Sequence, residues 1–444
     1  MDMITILGII GLFVGIAFLI IGAYKGLGAI PLTIFSALLV IIFNYMPIWD
    51  TLTDTYAAGF AGVVSSYFFL FVCSSVYAKF MEDTGAASAI GYKLVDTFGV
   101  KYVSLISILI GVILTYGGVS FFVYIFAAAP IMFSIYKEAD LPVTIMGCAC
   151  GVGASTFTLA VMPGTTQLTN VIPTQYLGTT LMAAPILGIV MSIAIFILGY
   201  IYTIHQEKLA RKNHEHWTDP VDSPISIPEH VDRSQLPSAI CSFAPIIIML
   251  IIIIGGTYAF PDIDTTLLSS VAMIIASIVC YILNHKYDKT TVTSTLSKGS
   301  VNAITGMIGL AAVVAFGNVV SATDAFQSIV NWLMNLDMNV YWKGVVSTMI
   351  ISGITGSSSG GLRLVCENLA DYFISSGCNL AILHRLMTCA AITLDSLPHS
   401  SGIFLTFSVL GVTHKQCYKH VFMTCALIPL IVCIVSTIVV TLIL

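Results

Sequence analysis

From Leu141 to Gln206 the chain runs 66 residues without an aspartate, glutamate, lysine or arginine. A helix crosses the hydrocarbon of a bilayer with roughly 20 apolar residues, so this run exceeds what two spans and a turn require. The surplus falls at Met162-Pro163-Gly164-Thr165-Thr166-Gln167-Leu168-Thr169-Asn170, where proline and glycine break a helix. A break at membrane depth leaves amides and carbonyls that lipid cannot satisfy, so it must face protein, water or a ligand. A second uncharged run of 35 residues lies between Lys101 and Lys137, too long for one comfortable span and too short for two. Its middle reads Tyr116-Gly117-Gly118-Val119-Ser120. Glycines there favour a sharp reversal, and a re-entrant hairpin is expected.

Lipid is the solvent for the rest of the chain too. Of 444 residues, 57% are hydrophobic and 9% charged, against about a quarter charged in soluble domains. Segments near 4–22, 28–46, 58–78, 180–203, 239–258, 266–283, 299–319 and 421–443 read as single spans. Met1 to Gly22 lacks a basic leader and a small-residue cleavage site, so it is read as a retained span. The longest polar stretch, Gln206 to Pro237, is too short to build its own core.

The second half repeats the order of the first. A shift of about 235 residues sets Gly118 on Gly353, Ser120 on Thr355, Thr158 on Thr393, Pro163 on Pro398, Thr165 on Ser400 and Thr166 on Ser401. Each half reads as three spans, an amphipathic stretch (84–98 against 321–334), a hairpin, a broken span and a last span. Five crossings per half invert the second copy. The expected fold is therefore an all-α polytopic membrane protein of two inverted repeats, each with one re-entrant hairpin and one broken helix. Residues 1–203 form the first repeat, with scaffold spans in 1–80 and the hairpin and broken span in 101–203. A cytoplasmic linker follows at 204–238. Residues 239–444 form the second repeat, with scaffold spans in 239–319 and the hairpin and broken span in 340–444.

With the amino terminus outside, 14 of the 17 basic residues fall on inside segments: Lys25, Lys79, Lys93, Lys101, Lys137, Lys208, Arg211, Lys212, Arg233, Lys286, Lys289, Lys298, Lys415 and Lys419. Lys343 lies outside, and Arg363 and Arg385 fall in the membrane. That asymmetry is what membrane insertion favours, with both termini outside. The tract Lys208 to His216 is read as a topology-fixing cytoplasmic segment, because its histidines lack metal-ligand spacing. The 11 cysteines, Cys148 and Cys150 included, read as small packing residues.

Four irregular segments converge in this arrangement: Gly117 to Ser120, Met162 to Asn170, Gly353 to Gly361 and Asp395 to Gly402. Half-helix amino termini suit a carboxylate, whereas half-helix carboxyl ends and hydroxyls suit a cation. Small residues also let membrane helices pack closely; paired hairpins and proline breaks in equivalent positions are what favour a site. Ionisable residues at membrane depth are functional candidates. Asp395 and His399 flank Pro398 and are the ion-coupling candidates, as a proton-coupling pair or with the carboxylate as a sodium ligand; capping of the half-helix is their structural alternative. Arg363 either grips a carboxylate or pairs with Glu367. Arg385 is expected to anchor at the interface.

Asp395-Ser396-Leu397-Pro398-His399, followed by Leu410-Gly411-Val412-Thr413-His414-Lys415, resembles the carboxyl-terminal signature of the gluconate permease (GntP) family, in its hydroxybutyrate-permease-like branch. Tyr116 to Val123, Met162 to Asn170 and Gly178-Thr179-Thr180 are similar to sequences of the same group. The resemblance spans nearly the whole chain. It implies uptake of a small organic acid by proton symport, within the ion-transporter superfamily, whose members form dimers and move a transport domain against a scaffold like an elevator. Carried over by position, it marks Gly118, Ser120, Thr165, Thr166, Ser357, Ser358 and Ser359 with Asp395 and His399; Ser400 and Ser401 are the repeat counterparts of Thr165 and Thr166. Arg363 departs from the pattern, where a small or neutral residue is expected. A second positive centre would fit a dicarboxylate or neutralise Glu367.

The chain is thus expected to be a symporter of the cytoplasmic (inner) membrane. Its substrate would be a small hydroxy-monocarboxylate such as 3-hydroxybutyrate or gluconate, with a proton, or else sodium, as coupling ion. Its partners would be that carboxylate, the bilayer and a second copy, with no cofactor, metal or nucleic acid. A sodium–proton antiporter and a sodium-coupled di- or tricarboxylate transporter are the alternatives on this architecture. A membrane-embedded enzyme would need a nucleophile–base pair, a metal cluster or paired acids, and membrane depth offers only Asp395 and His399.

Overall fold

The computed structural model describes residues 3–220, 222–225, 233–260, 263–288 and 290–443. Lys289 of the charge pattern and part of the 204–238 linker lie outside the described residues. The described secondary structure is helical, with no strand among the described residues.

The first half comprises α1 (Met3–Tyr24), α2 (Ala29–Phe43), α3 (Ile48–Asp83), α4 (Ala86–Phe98), α5 (Val103–Tyr116), α6 (Phe121–Glu138), α7 (Val143–Val161), α8 (Leu168–Leu177) and α9 (Pro185–Lys212). The second comprises α10 (Ala239–Ala259), α11 (Thr265–Asn284), α12 (Val292–Ser321), α13 (Asp324–Met334), α14 (Val340–Thr355), α15 (Ser358–Ser375), α16 (Leu380–Leu394), α17 (Ser401–Leu410) and α18 (His414–Ile443). The element order is the same in both. The short amphipathic helices expected near 84–98 and 321–334 are α4 and α13, and Thr323 starts α13 by accepting Phe326 N–H at 3.1 Å.

Among the described residues nine helices are long and apolar enough to cross a membrane, or ten if Ala86–Phe98 and Val100–Tyr116, bent by 106°, count as one span. Length alone does not reproduce the expected set of ten. The return arm of the first hairpin, α6, passes at 18 residues although it is mostly buried, while α2 is an apolar helix of only 15 residues.

The halves exchange equivalent packing. Helix α3 lies along α12 at the centre; α2 packs on α12 as α11 packs on α3; α4 meets α10 as α13 meets α1. A Cβ on Gly299 would lie 2.8 Å from Val76 Cα, so glycine sets the approach of α12 to α3. Within the halves α5 packs on α7 and α14 on α16, and between them α8 packs on α15 and α17 on α6. Each half-helix after a break therefore lies against the opposite half's hairpin.

Both expected breaks are present: residues 162–167 and 395–400 are not helical. The second hairpin differs in detail from its sequence reading. Helix α14 continues to Thr355 and α15 starts at Ser358, so the irregular stretch is Gly356-Ser357 rather than Gly353 to Gly361. The other small residues allow close packing: a Cβ on Gly361 would lie 2.5 Å from Ser352 Cα on the other arm, and one on Gly353 would lie 2.9 Å from Leu394 Cβ at the end of α16. Gly118 (φ +96°) thus matches Gly356 (φ +61°) as the left-handed residue of its tip.

Past α9 the chain crosses the α6–α7 turn. His216 Nδ1 and Trp217 N meet the Asp140 carboxylate at 2.7 and 3.0 Å, Lys137 pairs with Asp219 at 3.3 Å, and Ser223 Oγ donates to Val409 O at 2.7 Å. The His216 and Trp217 bonds hold the Asp140 carboxyl below its usual value.

Candidate functional site

A cavity of about 620 Å³ opens where the two tips and the two breaks meet. The first tip closes because Tyr116 ends α5, Gly118 turns left-handed, and Ser120 starts α6 with its carbonyl accepting Val123 and Tyr124 N–H at 3.0 and 2.9 Å. The first break is bound to that tip. Gln167 Nε2 donates to Thr115 O at 2.8 Å and Val119 O at 2.9 Å, and Tyr116 OH donates to Pro163 O at 3.0 Å. Side chains also answer other carbonyls freed by the break: Thr165 Oγ1 reaches Thr158 O and Asn170 Nδ2 reaches Thr165 O, each at 2.8 Å, and Thr169 Oγ1 reaches Leu159 O.

The second break is tied differently. His399 Nε2 lies 2.8 Å from Gly353 O, joining it to the second hairpin. Since a carbonyl only accepts, Nε2 carries the proton, and Nδ1 is left buried without a partner among the described residues. His414 Nε2 donates to Pro398 O at 2.9 Å, and Tyr418 OH to Ser396 O at 3.1 Å. Asp395 faces the cavity and accepts Ser396 Oγ at 3.0 Å.

Four half-helices begin at this cavity. First-turn residues of α6 (Phe121), α8 (Leu168), α15 (Ser358) and α17 (Ser401) all line it. The first amides of a helix have no intrahelical acceptor and sit at the positive end of its dipole, so the cavity collects four such ends. Among the described residues its wall contains two acids, Asp264 and Asp395, and no lysine, arginine or histidine. Hydroxyls fill much of the remaining polar surface, and Ser120 Oγ is buried with no partner among the described residues.

The family model of the GntP family permeases matches residues 3–443. The chain belongs to the GntP permease family. It is 28% identical over 459 aligned residues to a Bacillus subtilis (strain 168) protein named "Uncharacterized transporter YxjC", covering 95% of each chain. It is 25% identical over 339 residues to the "High-affinity gluconate transporter" of Escherichia coli (strain K12), covering 69% of this chain and 72% of that one. The protein is a multi-pass membrane transporter.

In this GntP permease, Gly118, Ser120, Thr166, Ser357, Ser358, Ser359, Asp395, Ser400 and Ser401 line this same cavity. Thr165, Arg363 and His399 do not. Thr165 is buried, its hydroxyl engaged by Thr158 O. Arg363 is exposed on α15, while Glu367 accepts the Tyr176 hydroxyl at 2.9 Å. His399 stands behind the wall, holding Gly353.

Arg385 is not the interface anchor expected of it. Its relative exposure is 0%. Nε and Nη2 donate to Ala183 O at 3.1 and 2.7 Å, Nη2 to Leu181 O at 3.2 Å, and Nη1 to Ala160 O at 3.2 Å and Asn170 Oδ1 at 2.9 Å. The sequence carried a signal for it, a charge in the middle of an apolar helix. Its partners, however, lie some 200 residues earlier and are mostly backbone carbonyls, which no side-chain pattern marks. Gln167 and Asn170 were inside the segment singled out, but composition could not separate the residues that bind the break together from those that face the cavity.

Proposed function

We propose that this permease imports a small organic acid anion, a hydroxy-monocarboxylate such as 3-hydroxybutyrate or gluconate, by proton symport across the cytoplasmic (inner) membrane. The observation that carries this is the convergence of four helix amino termini on a hydroxyl-lined cavity with Asp395 in its wall. Amide dipoles favour a carboxylate. The unpartnered Ser120 hydroxyl and the hydroxyls of Ser357 to Ser359 in the wall suit the substrate's own hydroxyl groups. The gluconate name of one relative agrees with a substrate of this class.

Coupling follows from charge. A substrate anion and an ionised Asp395 in the same cavity repel, strongly so where water is scarce. A proton on Asp395 removes that repulsion, so anion and proton bind cooperatively, and His399, in the same break and behind the wall, is the relay candidate. The inverted arrangement of the halves agrees with their equivalent packing and with the lysine pattern, and gives both termini outside. The cavity wall extends to Asp264 and Thr266 at the start of α11, on the side so assigned to the exterior. Elevator movement of α5–α9 and α14–α18 against a dimeric scaffold of α1–α3 and α10–α12 would carry the site across.

Asp395 with the Ser396 hydroxyl at 3.0 Å is also an oxygen set that suits sodium, which is the second choice of coupling ion. Purified protein in liposomes decides. An inward proton gradient is expected to drive accumulation of labelled 3-hydroxybutyrate or gluconate about tenfold per pH unit for one proton per anion. Uptake that follows an imposed sodium gradient instead transfers the coupling to sodium, and uptake indifferent to both gradients refutes symport.

A further inference from the structure

The cavity wall carries negative charge only, yet a permanent positive charge lies one residue behind it. Arg385 donates to Ala160 O and to Asn170 Oδ1, and the residues preceding these, Leu159 and Thr169, are in the wall. All five N–H donors of the guanidinium are engaged, four of the bonds going to backbone carbonyls and one to a neutral amide. No carboxylate pairs with Arg385 among the described residues.

The surrounding network is neutral throughout. Asn170 Nδ2 faces the carbonyls of Thr165 and Leu181 at 2.8 and 3.1 Å, which fixes Oδ1 as the acceptor. His384 Nε2, 3.0 Å from that Oδ1, therefore carries the ring proton, and its Nδ1 accepts from Thr179 Oγ1 at 2.7 Å. Neutral donors would satisfy carbonyls without the desolvation cost of burying an unpaired ion. Arginine stays protonated inside proteins, so its charge has to be balanced from across the wall.

We propose that Arg385, acting through Asn170 and the first break, is the fixed positive charge that sets the transport site's preference for anions and holds one negative charge in the cavity at all times. This rests on the anion-transport function proposed above and deepens it. In the empty site ionised Asp395 supplies the negative charge; in the loaded site the substrate carboxylate supplies it and Asp395 takes a proton. Charge balance then fixes one proton per monovalent anion. It also makes Arg385 a positioning residue, which touches the wall and not the substrate.

Uptake of labelled gluconate and 3-hydroxybutyrate into liposomes tests this, measured at an external pH below the working range, where Asp395 of the empty site is protonated as well and the substrate brings the only negative charge, and with protein insertion checked by size-exclusion profile. Arg385→Lys keeps the charge and loses the fork; Arg385→Gln loses both. The lysine variant is expected to keep KM within about threefold of wild type, and the glutamine variant to raise it roughly tenfold, as expected of a unit charge about 10 Å away at an effective dielectric of about 20. If Arg385→Gln does not reach the membrane, Asn170→Asp and Asn170→Ser decide. Both lose the amide, but only aspartate neutralises Arg385, so its KM is expected to exceed that of the serine variant roughly tenfold. Equal KM values for Lys and Gln at 385, or for Asp and Ser at 170, overturn the assignment of charge to Arg385 while leaving anion transport intact. A wild-type protein that takes up neither anion overturns both.

Discussion

Asp395→Asn is expected to end accumulation of the substrate while leaving exchange across the membrane. Asparagine preserves the size of the side chain and can still accept the Ser396 hydroxyl, now at 3.0 Å from Asp395 Oδ1. What it loses is the site where a proton or cation can be taken up and released. Without that group the anion binds and crosses unaccompanied by a coupling ion, and the accumulation ratio falls from about tenfold per pH unit to one. Counterflow of labelled for unlabelled substrate in preloaded liposomes is expected to persist. Full concentrative uptake by the asparagine variant would remove Asp395 from the coupling mechanism.

Gln167→Leu is expected to disable the first half of the site. One amide holds the break to the tip, donating to Thr115 O and Val119 O at 2.8 and 2.9 Å. Leucine has similar bulk and no donor, so two carbonyls would be left buried with one partner fewer. A buried group left unsatisfied costs about 1–3 kcal/mol, and at this depth lipid supplies no replacement. Uptake is expected to fall at least tenfold and the thermal unfolding midpoint to drop, with α9 and α18 still inserted. Gln167→Glu, which donates nothing when ionised and only one bond when protonated, is expected to fall between wild type and leucine. Near-normal uptake by the leucine variant would mean that the tip and break hold together without Gln167.

The sequence made parts of this site legible for local reasons. Proline 163 and proline 398 cannot continue a membrane helix without disturbing it, and Gly117-Gly118 can turn where other residues cannot, so both breaks and the first tip stood out. The second tip was blurred because Gly353, Gly356, Gly360 and Gly361 look alike in sequence, whereas Gly356 turns the chain and Gly353 and Gly361 admit the neighbouring helices. Thr165 and Thr166 are adjacent and chemically identical, yet one hydroxyl is spent on Thr158 O and the other residue lines the cavity. In the sequence Arg363, on the return arm of the second hairpin, is the arginine whose fork could grip a carboxylate; it is exposed, and the buried guanidinium belongs to Arg385. Such distinctions depend on contacts between residues about 200 positions apart, such as Arg385 with Ala183 and Asn170, and have no periodic trace in the chain.

The account depends on unpaired peptide groups from both halves gathering around one polar guest. A cryo-electron microscopy structure in lipid nanodiscs, with the anion that the liposome assay identifies, tests this most directly. Ligand density is expected between the first turns of α6, α8, α15 and α17, within hydrogen-bond reach of Ser120, Thr166, Ser358 or Ser401. Ligand density outside that space, beside Arg363 for instance, or continuous helix through Pro163 and Pro398 in the loaded protein, would contradict it.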